Sequence, residues 1–517
     1  MSRLIQSTAV VSAMTLVSRL FGYVRDMVLA VTFGASGATD AFFVAFRIPN
    51  FLRRLFAEGA FAQAFVPVFA EYRERRGREA LRDLLDHVSG TLALTLLAIT
   101  AGGILAAPWL IHLFAPGFDG DTGRHDLATS MLRITFPYLL FISLTAMAGG
   151  ILNSVGRFAV PAFTPVLLNL ALIGAALLAA PRFEEPVVAL AWGVFIAGAA
   201  QLLFQVPFLA REGLLPRPRL KRAHEGVRRI IHLMLPALLG TSVVQVNLLV
   251  DTLIASFLAT GSISWLYFSD RFVELPLALF GIAIGTVILP RLSGEHAARD
   301  PAAFSRTLDW ALRLSVLIAL PAALGLVLLA TPILAALIQY REFLPSDTAM
   351  AALSLMAYAL GLPAFILIKI LAPGYFARQD TRTPVKVAVI AMLANMGLNL
   401  AIIAPWIALD RPGPHAGLAL ATALSAYLNA GLLYRGLRRD GVFSPRPGWR
   451  ALLLRTLPAL AAMGILLAFL APPAALWTTW DAPTRVAILL GLVAAGATTY
   501  AVVLLTLGLR PRQLHLR

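Results

Sequence analysis

Apolar stretches of roughly 20 residues recur from one end of the chain to the other, with short polar loops between them. A helix of that length can cross the hydrocarbon core of a bilayer. The pattern therefore predicts an all-α polytopic membrane protein with about fourteen transmembrane helices. The predicted spans are residues 5–31, 38–69, 84–113, 127–151, 158–180, 186–210, 227–258, 264–290, 307–338, 348–371, 383–408, 416–437, 449–471 and 483–508.

The composition supports this class and excludes several kinds of chemistry. Of 517 residues, 59% are hydrophobic and 14% are charged, whereas a soluble domain carries about a quarter charged residues. The absence of cysteine excludes disulfides and thiolate chemistry. The sequence has no P-loop, zinc-protease motif or nucleophile elbow. We therefore expect a transporter and not an enzyme, driven by an ion gradient or the membrane potential.

Basic residues are concentrated in alternate loops, which sets the expected orientation. A net charge of +16 would suggest nucleic acid as a partner for a soluble chain. Here the charges sort to one side of the predicted membrane, as the positive-inside rule describes, so we expect no nucleic acid. Both termini are then cytoplasmic. Arg19 and Arg25 interrupt the first apolar run, so we expect a retained helix and not a cleaved signal peptide.

A weak internal repeat predicts two lobes. EGAFAQAFVPVFAEYRE, from Glu58, is similar to GIAIGTVILPRLSGE, from Gly281, and FAVPAFTPVLLNLALI is similar to TRTPVKVAVIAMLANMGLNLAII. The alternative is chance similarity between apolar helices. Six spans in each half predict parallel repeats. The expected organisation is 1–210 (N-lobe, helices 1–6), 211–226 (cytoplasmic linker), 227–440 (C-lobe, helices 7–12) and 441–517 (helices 13–14 and a cytoplasmic tail).

Charged residues lie inside three apolar spans, where an isolated charge costs several kcal/mol. Helical spacings of three, four and seven residues place them on shared faces. Lining a polar cavity between the two lobes would explain their presence. The residues are Arg19, Arg25, Asp26, Asp40, Arg47, Arg53, Arg54, Asp270, Arg271 and Glu274.

The excess of arginine over acid predicts an anionic ligand. Arg25 and Arg271 lie at similar depths below the outer ends of their helices, so we expect them to meet. Arginine binds phosphate oxygens bidentately and stays charged. Asp26, Asp40 and Glu274 would hold the arginines in position or exchange with the ligand. The alternative is structural ion pairing or snorkelling, which fits Arg54 and Glu58 near the inner interface.

A second polar group lies in the later spans. Asp251, with Asn247 on the same helix face, could join Asn395, Asn399 and Thr422 in an oxygen-rich site for a cation such as Na⁺. Hydrogen bonds between helices are the alternative explanation.

The segment Ser18–Tyr72, SRLFGYVRDMVLAVTFGASGATDAFFVAFRIPNFLRRLFAEGAFAQAFVPVFAEY, closely resembles the opening of the MurJ (MviN) lipid II flippases. SWLYFSDRFVELPLALFGIAIGTVILPRLS, LAPGYFARQDTRTPVK and FSPRPGWR resemble later parts of that family. These flippases belong to the multidrug/oligosaccharidyl-lipid/polysaccharide exporter superfamily. The resemblance implies fourteen helices, two six-helix lobes around a cavity, and a groove for a polyprenyl tail by the last two helices.

The resemblance also implies site residues. The family's cavity charges fall on Arg19, Arg25, Asp26, Asp40, Arg53, Arg54, Asp270, Arg271 and Glu274. Of these, Arg25, Asp26 and Arg271 match the proposed pyrophosphate-binding set. Some members carry a sodium site, for which the resemblance implies Asp251 as the expected counterpart here, without the rest of that site's ligands.

The function expected is export of lipid II from the inner to the outer leaflet of the bacterial inner membrane by alternating access. Lipid II, an undecaprenyl-diphosphate-linked sugar-pentapeptide, and membrane lipids are the expected partners, together with cell-wall synthesis enzymes. The alternatives are a flippase for another polyprenyl-diphosphate-linked sugar and a membrane scaffold for wall synthesis.

Overall fold

A computed structural model describes residues 2–54, 61–220 and 224–509. For residues 2–12 and 235–245 it describes the backbone alone. The predictions made for Glu58, for part of the linker (221–223) and for the tail at 510–517 fall outside the described residues. Within the described ranges all regular secondary structure is helical.

The chain divides into two compact units, Met1–Ser264 and Trp265–Arg517. The helices of the first unit are α1 (Ser2–Phe33), α2 (Gly37–Arg53), α3 (Ala62–Glu71), α4 (Gly77–Leu105), α5 (Ala107–Phe114), α6 (Thr122–Thr135), α7 (Tyr138–Ser154), α8 (Ala159–Gly174), α9 (Val188–Arg211) and α10 (Glu225–Ser256). Next, α11 (Ser262–Pro276) begins at the end of this unit and continues into the second. The second unit then holds α12 (Ala283–Ala297), α13 (Pro301–Leu328), α14 (Ala330–Leu337), α15 (Pro345–Phe376), α16 (Arg382–Ala408), α17 (His415–Arg439), α18 (Trp449–Leu470) and α19 (Ala482–Thr506).

The predicted all-α membrane fold is confirmed. Within the described residues, each predicted span coincides with one helix or with several helical segments. Eleven helical stretches within the described ranges are long and apolar enough to cross a membrane. The first, second and seventh predicted spans are not among them. The second contains α2, which has 17 residues and carries charge, and the side chains of the first and seventh are described only in part.

The two segments that suggested a repeat share a local feature. In the first unit, α3 begins after the residues at 55–60 and carries Pro67 inside the helix. In the second unit, α12 follows a π-helical stretch at Leu277–Ile282 and carries Pro290 inside the helix. A proline removes a backbone donor and crowds the preceding turn. The division into two lobes, a linker and a C-terminal part that the sequence predicts remains a prediction.

Each unit has its own packed interior. In the first, Phe65 and Phe69 on α3 pack with Leu84 on α4 and Ile151 on α7. In the second, α15 and α17 come into close contact at small residues. A Cβ built on Gly361 would lie 2.8 Å from the Cβ of Ala423. Small residues allow this close approach. In a membrane the hydrophobic effect does not drive helices together, so close van der Waals packing of this kind stabilises their contact.

The segment after α9 crosses α4 as a loop without regular secondary structure. The N–H groups of Arg217 and Arg219 donate to Asp86, at 2.7 Å to Oδ1 and 2.9 Å to the backbone carbonyl. A Cβ on Gly90 would lie 2.2 Å from the carbonyl oxygen of Arg219, so only glycine fits under this segment. Arg217 and Arg219 are thus bound to α4 through their backbone.

At its far end the same segment starts α10. Nδ1 of His224 accepts a hydrogen bond of 3.1 Å from the N–H of Gly226, which caps the helix. Both carboxylate oxygens of Glu225 accept hydrogen bonds of 3.0 Å from Arg76. These bonds lower the pKa of Glu225, because they favour its charged form.

We predict that Gly90→Ala releases the segment from α4. The new methyl group cannot coexist with the Arg219 backbone, and loss of the two hydrogen bonds to Asp86 should raise the population in which the segment is detached by about 10- to 30-fold. The measurement is the initial rate of trypsin cleavage after Arg219 in detergent-solubilised protein, because Pro218 blocks cleavage after Arg217. Gly102→Ala on the same helix is the matched control, since nothing lies within 4 Å of its new Cβ. Equal cleavage rates in the two variants would contradict the close contact.

Candidate functional site

Arg25 on α1 is held by a neighbour in sequence and by a distant helix. Its Nε and Nη2 donate to Asp26 Oδ1 at 2.8 and 2.6 Å, and its Nη1 donates to Asn169 Oδ1 at 3.0 Å. Asn169 lies on α8 and also donates from Nδ2 to the Ser18 carbonyl at 3.0 Å. Both side chains of the ion pair are largely shielded from solvent, with 12% and 8% exposed. The amide of Asn169 therefore joins α8 to the polar face of α1.

The sequence interpretation missed Asn169. The only signal is one carboxamide within the apolar stretch VLLNLALIG of α8. A buried amide inside a membrane helix needs a hydrogen-bond partner, and a guanidinium is a strong one.

Arg271 on α11 is fixed by its own helix. Nη1 donates to Glu274 Oε2 at 2.7 Å, and the guanidinium carbon lies 4.8 Å from the centroid of the Tyr267 ring. Spacings of three and four residues put the three side chains on one helix face. A cation over an aromatic ring is stabilised by the ring quadrupole. Asp270, beside this group, is partly buried.

These pairs correct one expectation. The sequence interpretation counted Arg25 and Arg271 as positive charge in excess of the nearby acids. In the structure each has an acidic partner, Asp26 and Glu274 respectively. The physical reason is that an acid one or three residues away can turn its carboxylate towards the arginine, which lowers the cost of burying both groups.

Asp40 has a different place from the one expected. Its carboxylate accepts hydrogen bonds from Gly261 N (2.7 Å), Ser264 N (2.8 Å) and Ser264 Oγ (2.6 Å), and it is almost completely buried. It therefore caps the first turn of α11 and does not brace an arginine of α2. The seven-residue spacing to Arg47 was misleading, because Asp40 lies in the first turn of α2, beside the loop that precedes α11.

The remaining predicted residues are spread along α1 and α2. Arg47 donates from Nη1 to Thr252 Oγ1 on α10. Nε of Arg53 donates to Asn50 Oδ1 at 2.8 Å, one helical turn away. Arg54 follows the last residue of α2 and is partly buried, and Arg19 is exposed on α1. The first unit thus contains Arg19 to Arg54, and the second contains Asp270, Arg271 and Glu274. A meeting of Arg25 with Arg271 remains a prediction.

The residues considered for a cation divide between the units. Asp251 lies on α10 in the first unit, with Asn247 Nδ2 3.4 Å from its Oδ2. Asn395 and Asn399 are fully buried on α16, which packs against α17. On α17, Thr422 Oγ1 is buried and has no hydrogen-bond partner among the described residues. Amide and hydroxyl oxygens suit a hard cation such as Na⁺. The four-residue set as a whole remains a prediction.

Comparison with known proteins gives one consistent family. The family model described as lipid II flippase MurJ matches residues 29–488. The chain is 48% identical to the probable lipid II flippase MurJ of Vibrio cholerae, over 99% of this chain and 98% of that protein. It is 46% identical to the probable lipid II flippase MurJ of Haemophilus influenzae, over 97% and 99%.

Solved structures agree with the sequence relatives. A lipid II flippase MurJ in an inward closed conformation matches with a TM-score of 0.78 and 28% identity, over 95% of this chain and 97% of that one. A multidrug-resistance MATE transporter of the MOP superfamily, in an inward-facing conformation, matches with a TM-score of 0.68 over 84% of this chain. At 14% identity that second likeness shows the fold alone. With both the family model and near-full-length relatives in agreement, the chain belongs to the MurJ family of lipid II flippases.

Proposed function

We propose that this protein moves lipid II from the inner to the outer leaflet of the bacterial inner membrane. The observation that carries the proposal is the pair of acid-braced arginines, Arg25 with Asp26 on α1 and Arg271 with Glu274 on α11. Relatives that match nearly the whole chain are named as lipid II flippases. A pyrophosphate inside an apolar bundle needs such fixed cationic forks to replace its hydration.

The carboxylates have a defined part in this mechanism. Asp26 and Glu274 hold the guanidinium groups in position when no substrate is bound, so the empty carrier does not bury isolated charge. When the pyrophosphate arrives it competes for the same N–H donors. Release restores the internal ion pairs, which limits how tightly the substrate is held. Alternating access by rocking of one bundle against another would then expose the site to each side in turn.

The polyprenyl tail needs an apolar path, and the second unit offers one. A cavity of about 760 Å³ is bounded by α13, α15, α17 and the start of α18. Leu312, Leu367 and Ala430 give it apolar walls, and Trp449 lies at the start of α18. Burial of each methylene of the tail contributes about 0.8 kcal/mol. We propose that part of the tail occupies this cavity while the head group crosses.

The membrane potential favours the direction proposed. An anionic head group that moves outward goes from the negative to the positive side, which contributes about 2.3 kcal/mol per charge per 100 mV. A cation such as Na⁺ at Asp251, or at Asn395, Asn399 and Thr422, would instead act when the empty carrier resets. Cell-wall synthesis enzymes that consume the exported lipid are proposed partners.

We predict that Arg25→Ala and Arg271→Ala each reduce lipid II flipping at least 30-fold, since loss of a desolvated partner of a charge costs about 2 kcal/mol or more. Lysine at Arg25 should restore part of the activity, because it keeps the charge but not the planar fork. The assay is head-group exposure in liposomes reconstituted with purified lipid II.

The control for this prediction is Arg182→Ala, which removes an exposed arginine at the end of the helical stretch that begins with α8. Asp40→Ala is a second comparison. It should lower the amount of folded protein, because it leaves three donors at the start of α11 without their acceptor. Normal flipping by both Arg25→Ala and Arg271→Ala, at normal protein levels, would refute the arginine site.

Orientation can be tested with single cysteines, because the chain has none of its own. We propose that the loop with Gly120 faces outward and that the C-terminal end of α12, which carries Gly294, is cytoplasmic, as the loop charges indicate. Both glycines have open space around a new Cβ. A membrane-impermeant maleimide should label Gly120→Cys in intact cells, and Gly294→Cys only after permeabilisation. The reverse labelling pattern would overturn the proposed orientation of the termini.

The driving force gives a separate prediction. Collapse of the membrane potential should stop net flipping, and a pH gradient alone should not restore it, if the substrate's own charge provides the coupling. Flipping by the native protein and by Asp251→Asn, with sodium removed at a fixed potential, tests the cation. A sodium requirement lost in the variant would indicate coupling through Asp251. Unchanged flipping after complete collapse of the potential would rule out the electrogenic model.

A further inference from the structure

The first unit contains a cavity of about 720 Å³ among α2, α3, α7, α8 and α9. This volume is within the range of about 300–1,000 Å³ that is usual for ligand sites. Its wall is made of apolar and small residues with a few polar groups. Arg53, one of the predicted substrate-binding residues, lines it. Gln201 and Gln205 of α9 also line the cavity.

Thr164 on α8 fixes the orientation of both glutamine side chains. The Nε2 group of Gln201 donates to the Thr164 carbonyl at 3.1 Å, and that of Gln205 donates to Thr164 Oγ1 at 3.1 Å. Thr164 Oγ1 in turn donates to the Val160 carbonyl at 3.0 Å. A carbonyl oxygen can only accept, and the hydroxyl hydrogen is already used. The amide nitrogens must therefore point at Thr164, and a flipped amide would lose both bonds.

This orientation leaves two acceptors without a donor. Oε1 of Gln201 and Oε1 of Gln205 are buried and have no hydrogen-bond partner among the described residues. The two side chains are only 2% and 1% exposed. Buried acceptors in native proteins are almost always satisfied, so two that are one helical turn apart on a cavity wall need a reason. A ligand that donates hydrogen bonds supplies one.

Small residues of α7 lie beside these glutamines on the cavity wall. A Cβ built on Gly149 of α7 would lie 3.8 Å from Oε1 of Gln205, so this oxygen faces the glycine side of α7. Ala62, Ala146 and Gly150 also line the cavity. Larger side chains at these positions would fill it.

We propose that this cavity is a subsite for the hydroxyl- and amide-bearing part of the substrate head group, with Gln201 and Gln205 as its acceptors. The inference rests on the proposed function and deepens it. Neutral amide oxygens repel phosphate but accept readily from sugar hydroxyl and peptide N–H groups. Arg53 on the same cavity serves the anionic part. The glutamines thus recognise what distinguishes a sugar-peptide lipid from a bare polyprenyl pyrophosphate.

The test compares two lipids on the reconstituted full-length protein. Gln201→Met and Gln205→Met keep the side-chain length and remove the acceptor. Each should weaken binding of lipid II about tenfold and leave binding of undecaprenyl pyrophosphate unchanged. Arg53→Ala should weaken both lipids. Ser143→Ala on α7 is the matched control. Its buried hydroxyl has no hydrogen-bond partner among the described residues, and Ser143 does not line the cavity.

A second variant covers the case in which methionine at these positions prevents folding. Ala146→Leu fills the cavity from α7 and leaves both glutamines in place. It should weaken binding of lipid II and leave binding of undecaprenyl pyrophosphate unchanged. If lipid II binds the methionine and leucine variants as tightly as the native protein, the glutamines are only solvated and the subsite is refuted. If the native protein binds neither lipid, the proposed function itself fails.

Discussion

A charged or strongly polar side chain in a membrane helix is stable only where another group compensates it. In this protein those compensating contacts also position the helices. Asn169 of α8 binds Arg25 of α1, and Arg47 of α2 binds Thr252 of α10. Arg485 of α19 donates to the carbonyls of Ala335 and Gln339 at 3.2 and 2.8 Å, near the end of α14. Apolar helix surfaces pack about as well against lipid as against another helix. The polar contacts therefore determine which helices pack together.

The fold could be predicted from the sequence because the membrane leaves few choices. Every backbone N–H and C=O in the hydrocarbon region must be satisfied within the segment, so a long apolar stretch has to be a helix. The predicted limits of α9, α16 and α19 agree with the structure to within a few residues. The breaks inside spans were harder to predict. The break at Ala106 between α4 and α5 comes just before Pro108, a signal that the single predicted span 84–113 did not use.

The site could be predicted only in part. Burial cost identifies charged residues in apolar spans, so Arg25 and Arg271 could be recognised as candidate site residues from local sequence. Hydrogen-bond partners on other helices could not be predicted in this way. Asn169 is 144 residues from Arg25, and the serine that binds Asp40 is 224 residues away. Periodicity relates residues on one helix and says nothing about which helix packs beside it. The error on Asp40 has this origin, as does the failure to foresee that the linker backbone lies on Gly90.

Charged and neutral polar groups have different physical roles in a carrier of this kind. The proposed arginine site would attract any polyprenyl pyrophosphate, because the attraction depends on charge and little on the rest of the head group. Selection between such lipids then has to come from groups whose hydrogen bonds only the correct head group can complete. The glutamines at Thr164 meet that requirement: they are neutral and buried, and their orientation is fixed before any ligand arrives. Strong binding and discrimination are thus assigned to different side chains, and each can change without loss of the other.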